Sequence, residues 1–402
     1  RLKNLNELIK IDLKKLIFFQ FFFIFVSFIC LLILFINSEF SNITVYYNSH
    51  TTKPFFYKVS GLWGNHEGSL LLWLLILTFI NFLYFSRSYS RSTKERLLTV
   101  IFQQIIIFGF IAFLIFTSNP FNEIFPSPKE GLGLNPILQD PLLAIHPPIL
   151  YLGYVGFTVP FAFAIAALVT GRLGEGWLLI TRRWTLFSWA CLTFGIILGA
   201  WWAYDVLGWG GYWGWDPVEN ASLLPWLTGT AFLHSVLVQE RRGLLRVWNL
   251  SLICSTFLLT ILGTFITRSG IIASVHAFSE GGVGPWLLWF FSAVLLLVLI
   301  LIFWRGDQLR SQGGIDSALS REGAFLANNL AFGAFAFVIL LGTIFPLIVE
   351  ATQNRQISVG APYFEKMSMP IGFVILFLMA IAPVLPWRKA GTELLRDRLE
   401  WP

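Results

Sequence analysis

Charge is scarce in this sequence: 12% of its 402 residues are Asp, Glu, Lys or Arg, 56% are hydrophobic, and mean hydropathy is +0.71. A soluble globular chain carries about a quarter charged residues, so a fold in water is excluded and a membrane bundle takes its place. Cysteine is equally sparse. Cys30, Cys191 and Cys254 each fall inside an apolar run without CxxC spacing, which excludes a disulfide framework or a cysteine-held metal and leaves them as packing residues. No internal repeat, low-complexity tract or polar linker divides the chain, so residues 1–402 read as one membrane domain. The net charge of +6 does not point to nucleic acid, because the basic residues form short clusters between apolar runs, where they orient helices in a bilayer.

What is abundant is apolar sequence in runs long enough to cross about 30 Å of hydrocarbon. Such runs predict an all-α, polytopic transmembrane bundle of about ten spans near 15–37, 69–86, 98–117, 146–170, 184–203, 220–239, 247–267, 285–304, 324–349 and 370–387. The first follows a basic stretch, as in a signal peptide, but is too long for one and lacks a small-residue cleavage site, so it reads as a span. Lys and Arg concentrate in alternate connecting segments: Lys10 to Lys15, Arg87 to Arg96, Arg172 to Arg183, Arg241 to Arg246, Arg305 to Arg321, and Arg388 with Lys389. The positive-inside rule therefore places both termini on the basic side. The opposite segments are longer, aromatic and rich in Gly and Pro, and function is sought there.

Residues 201–226, WWAYDVLGWGGYWGWDPVENASLLPW, hold six tryptophans, including Trp209, Trp213 and Trp215. An interfacial aromatic belt accounts for two or three of them. The interspersed Gly208, Gly210, Gly211 and Gly214 break helix and predict a turned backbone that displays indoles to a large planar ligand. Asp216, Pro217, Glu219 and Asn220 then read as an acidic helix start.

Histidine numbers only five. His146 and His276 fall on the same outer face as the tryptophans. A single interfacial histidine is as well read as a polar residue at headgroup level, but two imidazoles beside a bed of indoles match the axial ligands and packing of a haem. His234 lies inside a span, roughly 20 Å below the outer face at 1.5 Å per residue. At that depth it is either a ligand or hydrogen-bonded to a neighbouring helix. His66 reads as a cap of the second span, with Ser69 helping, ahead of a ligand or proton relay, and His50 as a loop residue. Arg268 is open to two readings, a partner for haem propionates or a snorkelling interfacial side chain. No residue is an obvious acid or nucleophile, so no catalytic residue is assigned.

These motifs carry a resemblance. WGGYWGWDPVENASLLPW is similar to the WWD signature of the haem-handling proteins of cytochrome c maturation, and WGNHEGSLLLW, AIHPPILYLGYVGF, TAFLHS and TRSGIIASVHAFS stand in the order of the CcmF-type haem lyases of the system I pathway. The resemblance runs from about residue 60 onward. It implies a haem lyase subunit of the holocytochrome c synthase type, acting within a complex. Haem b arrives from a haem chaperone, His146 and His276 ligate its iron beside the WWD segment, and its vinyl groups are joined to the CxxCH thiols of apocytochrome c, presented by a thiol-reducing delivery subunit. His234 is then one ligand of a second, transmembrane haem b. No histidine follows His276, so the other ligand is expected on a separate chain carrying the C-terminal half of the family. That split predicts the mitochondrial inner membrane, with the bacterial plasma membrane as the alternative. Two other classes compete: a haem transport or delivery protein, and a structural subunit of a respiratory assembly.

Overall fold

A computed structural model describes residues 2–87, 93–174, 176–208, 210–270, 282–310 and 313–388. Its elements, apart from one 3-10 turn at Pro136–Leu138, are α-helices: α1 (Leu2–Asn37), α2 (Ile43–Asn48), α3 (Phe55–Gly61), α4 (His66–Arg87), α5 (Thr93–Phe116), α6 (Pro141–Gly156), α7 (Thr158–Thr170), α8 (Gly176–Val206), α9 (Pro217–Arg242), α10 (Arg246–Arg268), α11 (Gly284–Leu309), α12 (Arg321–Gln353) and α13 (Ala361–Ile381). Among the described residues ten stretches are long and apolar enough to cross a membrane, one for each expected span.

Several boundaries fall a few residues from expectation, α8 starting at Gly176 rather than at 184, and two of the differences involve proline. The span expected over 146–170 is two helices, α6 and α7, because Pro160 has no N–H for the carbonyl of Gly156 and its ring crowds that group. The last span begins at Ala361, so Pro370, taken as its first turn, lies inside it.

Loop contacts sort the connections into two ends of the bundle. Ion pairs Arg172–Glu95 (3.3 Å), Arg182–Glu240 (3.9 Å) and Arg242–Asp316 (2.8 Å) join only segments from the basic set. Ile43 N to Asn122 O (2.9 Å), Leu132 N to Tyr46 O (2.8 Å) and Arg268 to His66 O (3.1 Å) join only segments from the other set. At that outer end α2, α3 and the segment 118–140 form a small cap. Within it the buried Lys53 donates to Asn48 O at 2.9 Å, and burial, then the nearby Lys58, pull its pKa from 10.5 down to about 8.

The centre is α7, whose residues 158–168 are all buried. Around it the tightest seam is α6 on α8. A Cβ on Gly153 would meet the backbone of Leu192 at 2.5 Å, and one on Gly195 the backbone of Leu150 at 2.8 Å, so only glycine allows this approach. That seam carries the first functional side chain.

Candidate haem site

Asp140 caps α6, accepting from Leu142 N at 2.8 Å and Leu143 N at 3.2 Å, with Pro141 in its first turn. His146 follows less than two turns later, its ring laid on α8 where a Cβ at Gly199 would meet Cε1 at 2.7 Å. Its Nδ1 lies 2.7 Å from Gly195 O. A carbonyl only accepts, so Nδ1 carries the proton and the ring's lone pair is on Nε2, the tautomer that binds a metal through Nε2 with its orientation fixed from behind.

The sequence around His146 creates a second requirement. Pro148 has no N–H for Ala144 O, and the Trp63 indole N–H donates to that carbonyl at 3.0 Å. The same substitution of donors occurs on α9, where Pro225 leaves Ala221 O without a helical partner and Tyr154 OH donates to it at 2.6 Å. Two aromatic side chains thus tie α3–α4, α6 and α9 together by filling positions that proline vacates.

The tryptophan-rich stretch is shorter as a loop than expected. Residues 201–206 complete α8 and 217–226 begin α9, leaving 207–216 between them. Of the six tryptophans, Trp202 is packed at 1% exposure, and Trp226 is part of the bundle, donating to Thr193 Oγ1 at 2.8 Å and stacking on Trp189. Trp213 and Trp215 are in the loop, edge to face with ring centres 6.2 Å apart. Trp209 lies outside the described residues. Gly210 (φ +69°) and Trp215 (φ +55°) take the left-handed conformation that turns the chain.

The start of α9 builds this loop. Asp216 caps it, accepting from Val218 N at 3.0 Å, and Glu219 Oε2 accepts from Gly214 N at 2.8 Å and Asp216 N at 3.2 Å, so the acidic helix start is a capping box that also folds the loop. Asn220 Nδ2 donates to Trp215 O (3.2 Å) and to Thr343 Oγ1 on α12 (3.1 Å), while the Trp215 indole stacks on Phe364 of α13.

A haem needs a nitrogen ligand, aromatic walls and polar groups at its edge. His146 would supply the first and Trp213 and Trp215 the second, and the buried Trp213 Nε1 has no acceptor among the described residues. The residues present fit the group. His276, the expected second ligand, lies outside the described residues.

The structure removes one of the two readings of Arg268 and corrects that of His66. Arg268 does not snorkel: at 8% exposure it donates to His66 O (3.1 Å), Ser69 Oγ (2.8 Å) and Tyr151 OH (2.7 Å). His66 does not cap α4. Asn65 does, through Oδ1 to Gly68 N at 2.7 Å, while His66 turns its Nε2 to Ser118 Oγ at 2.7 Å. Both line one cavity with His146 and Tyr151. His50 is a loop residue as expected, its Nδ1 2.9 Å from Thr52 Oγ1.

His234 sits deeper than expected, because α9 starts at Pro217 rather than three residues later. At 1.5 Å per residue it is roughly 25 Å from that start and roughly 12 Å from Arg242, in the inner half of the bundle. Phe325 and Phe332 flank its ring at 5.9 and 6.1 Å, and the Asn328 amide meets Nδ1 at 2.9 Å. An asparagine offers either a nitrogen or an oxygen there. With the oxygen facing the ring, Nδ1–H donates and Nε2 keeps its lone pair for a metal. Among the described residues no second histidine shares this pocket, and no group of three metal-ligating side chains occurs anywhere.

Trp63, Tyr151 and Asn328 were not singled out from sequence. The proline pair after His146 signals the need for an outside donor to α6, whereas nothing local marks Tyr151 or Asn328.

Comparison with known proteins follows this geometry. Residues 63–272, just over half of the chain, match the family described as Cytochrome C assembly protein. The chain is 47% identical to cytochrome c-type biogenesis protein CycK of Bradyrhizobium diazoefficiens over 94% of its own length, and 44% identical to CcmF of Escherichia coli over 93%. It spans 58% of the length of each. The solved structure of Cytochrome c Heme Lyase CcmF superposes with a TM-score of 0.78 at 36% identity, covering 96% of this chain and 58% of that one. The chain belongs to the cytochrome c assembly protein family.

Proposed function

We propose that this chain is the haem-holding portion of a system I cytochrome c haem lyase, with haem b at the outer site as its substrate. The observation that carries the reading is the fixed tautomer of His146, Nδ1–H on Gly195 O, within a bundle that also builds an aromatic loop. In the proposed site His146 and His276 ligate the iron, Trp209, Trp213 and Trp215 form the platform, Asp216 holds the loop, and Arg268 supplies positive charge. His234, oriented by Asn328, holds one face of a second haem b in the inner half of the membrane.

In the reaction a CxxCH thiol of apocytochrome c adds across a haem vinyl group: sulfur bonds to the α carbon, the thiol hydrogen goes to the β carbon, and no electrons are gained or lost overall. The protein's part is positioning in a dry site, since no side chain among the described residues is placed as acid or nucleophile. A haem chaperone, a thiol-reducing delivery subunit and the remainder of the family's length, as part of a longer chain or as a separate one, complete the assembly.

Ten spans make the chain a multi-pass membrane protein. The relatives reported above are bacterial and give the mitochondrial inner membrane no support, so the plasma membrane is the placement they favour. We place both ends on the basic side and the haem loop opposite. The test is co-expression with the haem chaperone and an apocytochrome c. Covalent haem on the cytochrome, lost in His146→Ala, is expected; equal haem attachment by that variant would refute the assignment.

A further inference from the structure

The cavity at the outer ends of α4, α6 and α10 holds a cation that nothing described there neutralises. The acceptors of Arg268, His66 O, His66 Nδ1, Ser69 Oγ and Tyr151 OH, are neutral, and among the described residues no carboxylate lines the cavity. His66 adds no charge to relieve it. Its Nδ1 faces Arg268 Nη1 at 3.4 Å, and a guanidinium can only donate, so that nitrogen keeps its lone pair and Nε2–H donates to Ser118 Oγ. A buried guanidinium among neutral dipoles is uncompensated unless an anion joins it. A second polar group waits in the same place: Ser60, 4% exposed, lines the cavity with a hydroxyl that has no partner.

The rest of the lining is apolar, including Trp63, Leu134, Leu138 and Leu150. The cavity volume of about 190 Å³ lies below the roughly 300–1,000 Å³ of pockets that enclose whole drug-sized ligands, so it takes the edge of a larger molecule. His146 lines it as well, five residues before Tyr151 on α6, or about 7.5 Å along the axis.

We infer that this cavity receives one propionate arm of the outer haem, its carboxylate pairing with Arg268, and that Tyr151 and His66 are positioning residues which hold the guanidinium towards it. This rests on the haem reading above and gives it a carboxylate receptor that neither Trp213 nor Trp215 lines. A fatty-acid carboxylate from the bilayer has the same chemistry, and the test separates the two.

The purified protein is titrated with haem, haem dimethyl ester and oleate, followed by quenching of tryptophan fluorescence. Wild type is expected to bind the diacid at least tenfold more tightly than the ester. Arg268→Gln should bring the diacid down to the ester's affinity without weakening the ester further, Tyr151→Phe should lose part of the preference, and Arg268→Lys should restore part of it. Equal affinity for diacid and ester in wild type overturns the inference, and that arm needs no variant to fold. An equal loss for both ligands in Arg268→Gln also overturns it by showing a purely structural role. So does oleate that binds through Arg268 while haem does not. If neither porphyrin binds, the haem reading itself fails and this inference with it.

Discussion

The two ends of the bundle differ in the partners that their arginines meet. At the basic end three arginines meet carboxylates: Arg172 with Glu95, Arg182 with Glu240, and Arg242 with both Asp316 and the buried Glu322, at 2.8 and 3.4 Å, while Arg305 and Arg321 donate to backbone carbonyls. Glu322 also accepts from Arg388 N at 2.9 Å, closing α12 against the segment after α13. At the outer end Arg268 has only neutral acceptors, Trp213 has a buried N–H without one, and His146 is oriented by a carbonyl. The carboxylate pairs of the basic end read as structure, although Glu240 Oε1 and Arg242 Nη1 make no hydrogen bond. The outer end holds Arg268 without a carboxylate and the Trp213 N–H without an acceptor, and the proposed ligand would meet both.

The largest expected effect breaks the closed end. Glu322→Ala leaves Arg242 and the N–H of Arg388 without their buried acceptor, and breaking such a pair costs about 3–5 kcal/mol. Thermal unfolding in detergent should show it, while haem bound at the outer site stays unchanged in the folded fraction. A loss of outer haem at equal folding would mean that the ends are not separable.

At the outer end, Gly199→Val puts a side chain where the His146 ring lies. Disturbing an imidazole behind its ligating nitrogen costs about 10–100-fold in metal affinity, so haem titration should show a drop of that order. Unchanged affinity would mean that His146 binds nothing through this orientation.

A smaller effect tests the proline account. Tyr154→Phe strips Ala221 O of its donor, at about 1–3 kcal/mol for a buried unsatisfied carbonyl. Adding Pro225→Ala supplies a helical N–H and should recover much of that loss. Failure of the pair to recover would assign the cost to packing instead.

The smallest effect is a pH dependence of the outer cap. The folded-state pKa of Lys53 is lowered by burial from 10.5 to about 8, so between these values the unfolded chain binds more protons than the folded one. Stability of the cap should therefore rise as pH increases from about 8 towards 10.5, and Lys53→Met should flatten that rise. Amide hydrogen exchange over residues 43–61 measures it, and an unchanged slope in the variant would exclude Lys53.

Ten spans and their two-sided connections were readable because apolar runs and basic clusters are local signals, and each helix carries its own. The errors have local causes too. Pro160 breaks the helix within a single span without ending its apolar pattern, and Pro370 sits inside a helix that begins nine residues before it. His234 was placed too shallow because α9 begins at its Asp216 cap. Other parts of the site could not be read because their partners are far apart in sequence. Arg268 meets His66 across 202 residues, and His234 meets Asn328 across 94. Neither contact has a spacing that a single sequence reveals, so the local pattern reads His66 as a cap and leaves Asn328 unmarked. The aromatic platform was legible as composition, yet only part of it is loop: Trp202 and Trp226 belong to the bundle.

The central claim is that the outer end holds haem through His146 independently of the inner pocket of His234. Reduced-minus-oxidised spectra of the purified protein, with the rest of the family's length present, test it directly when wild type is compared with His146→Ala and His234→Ala. The account predicts two separable haem signals, one lost in each variant. A preparation that contains no haem after co-expression with the haem chaperone, or a spectrum that His146→Ala leaves unchanged, would contradict it.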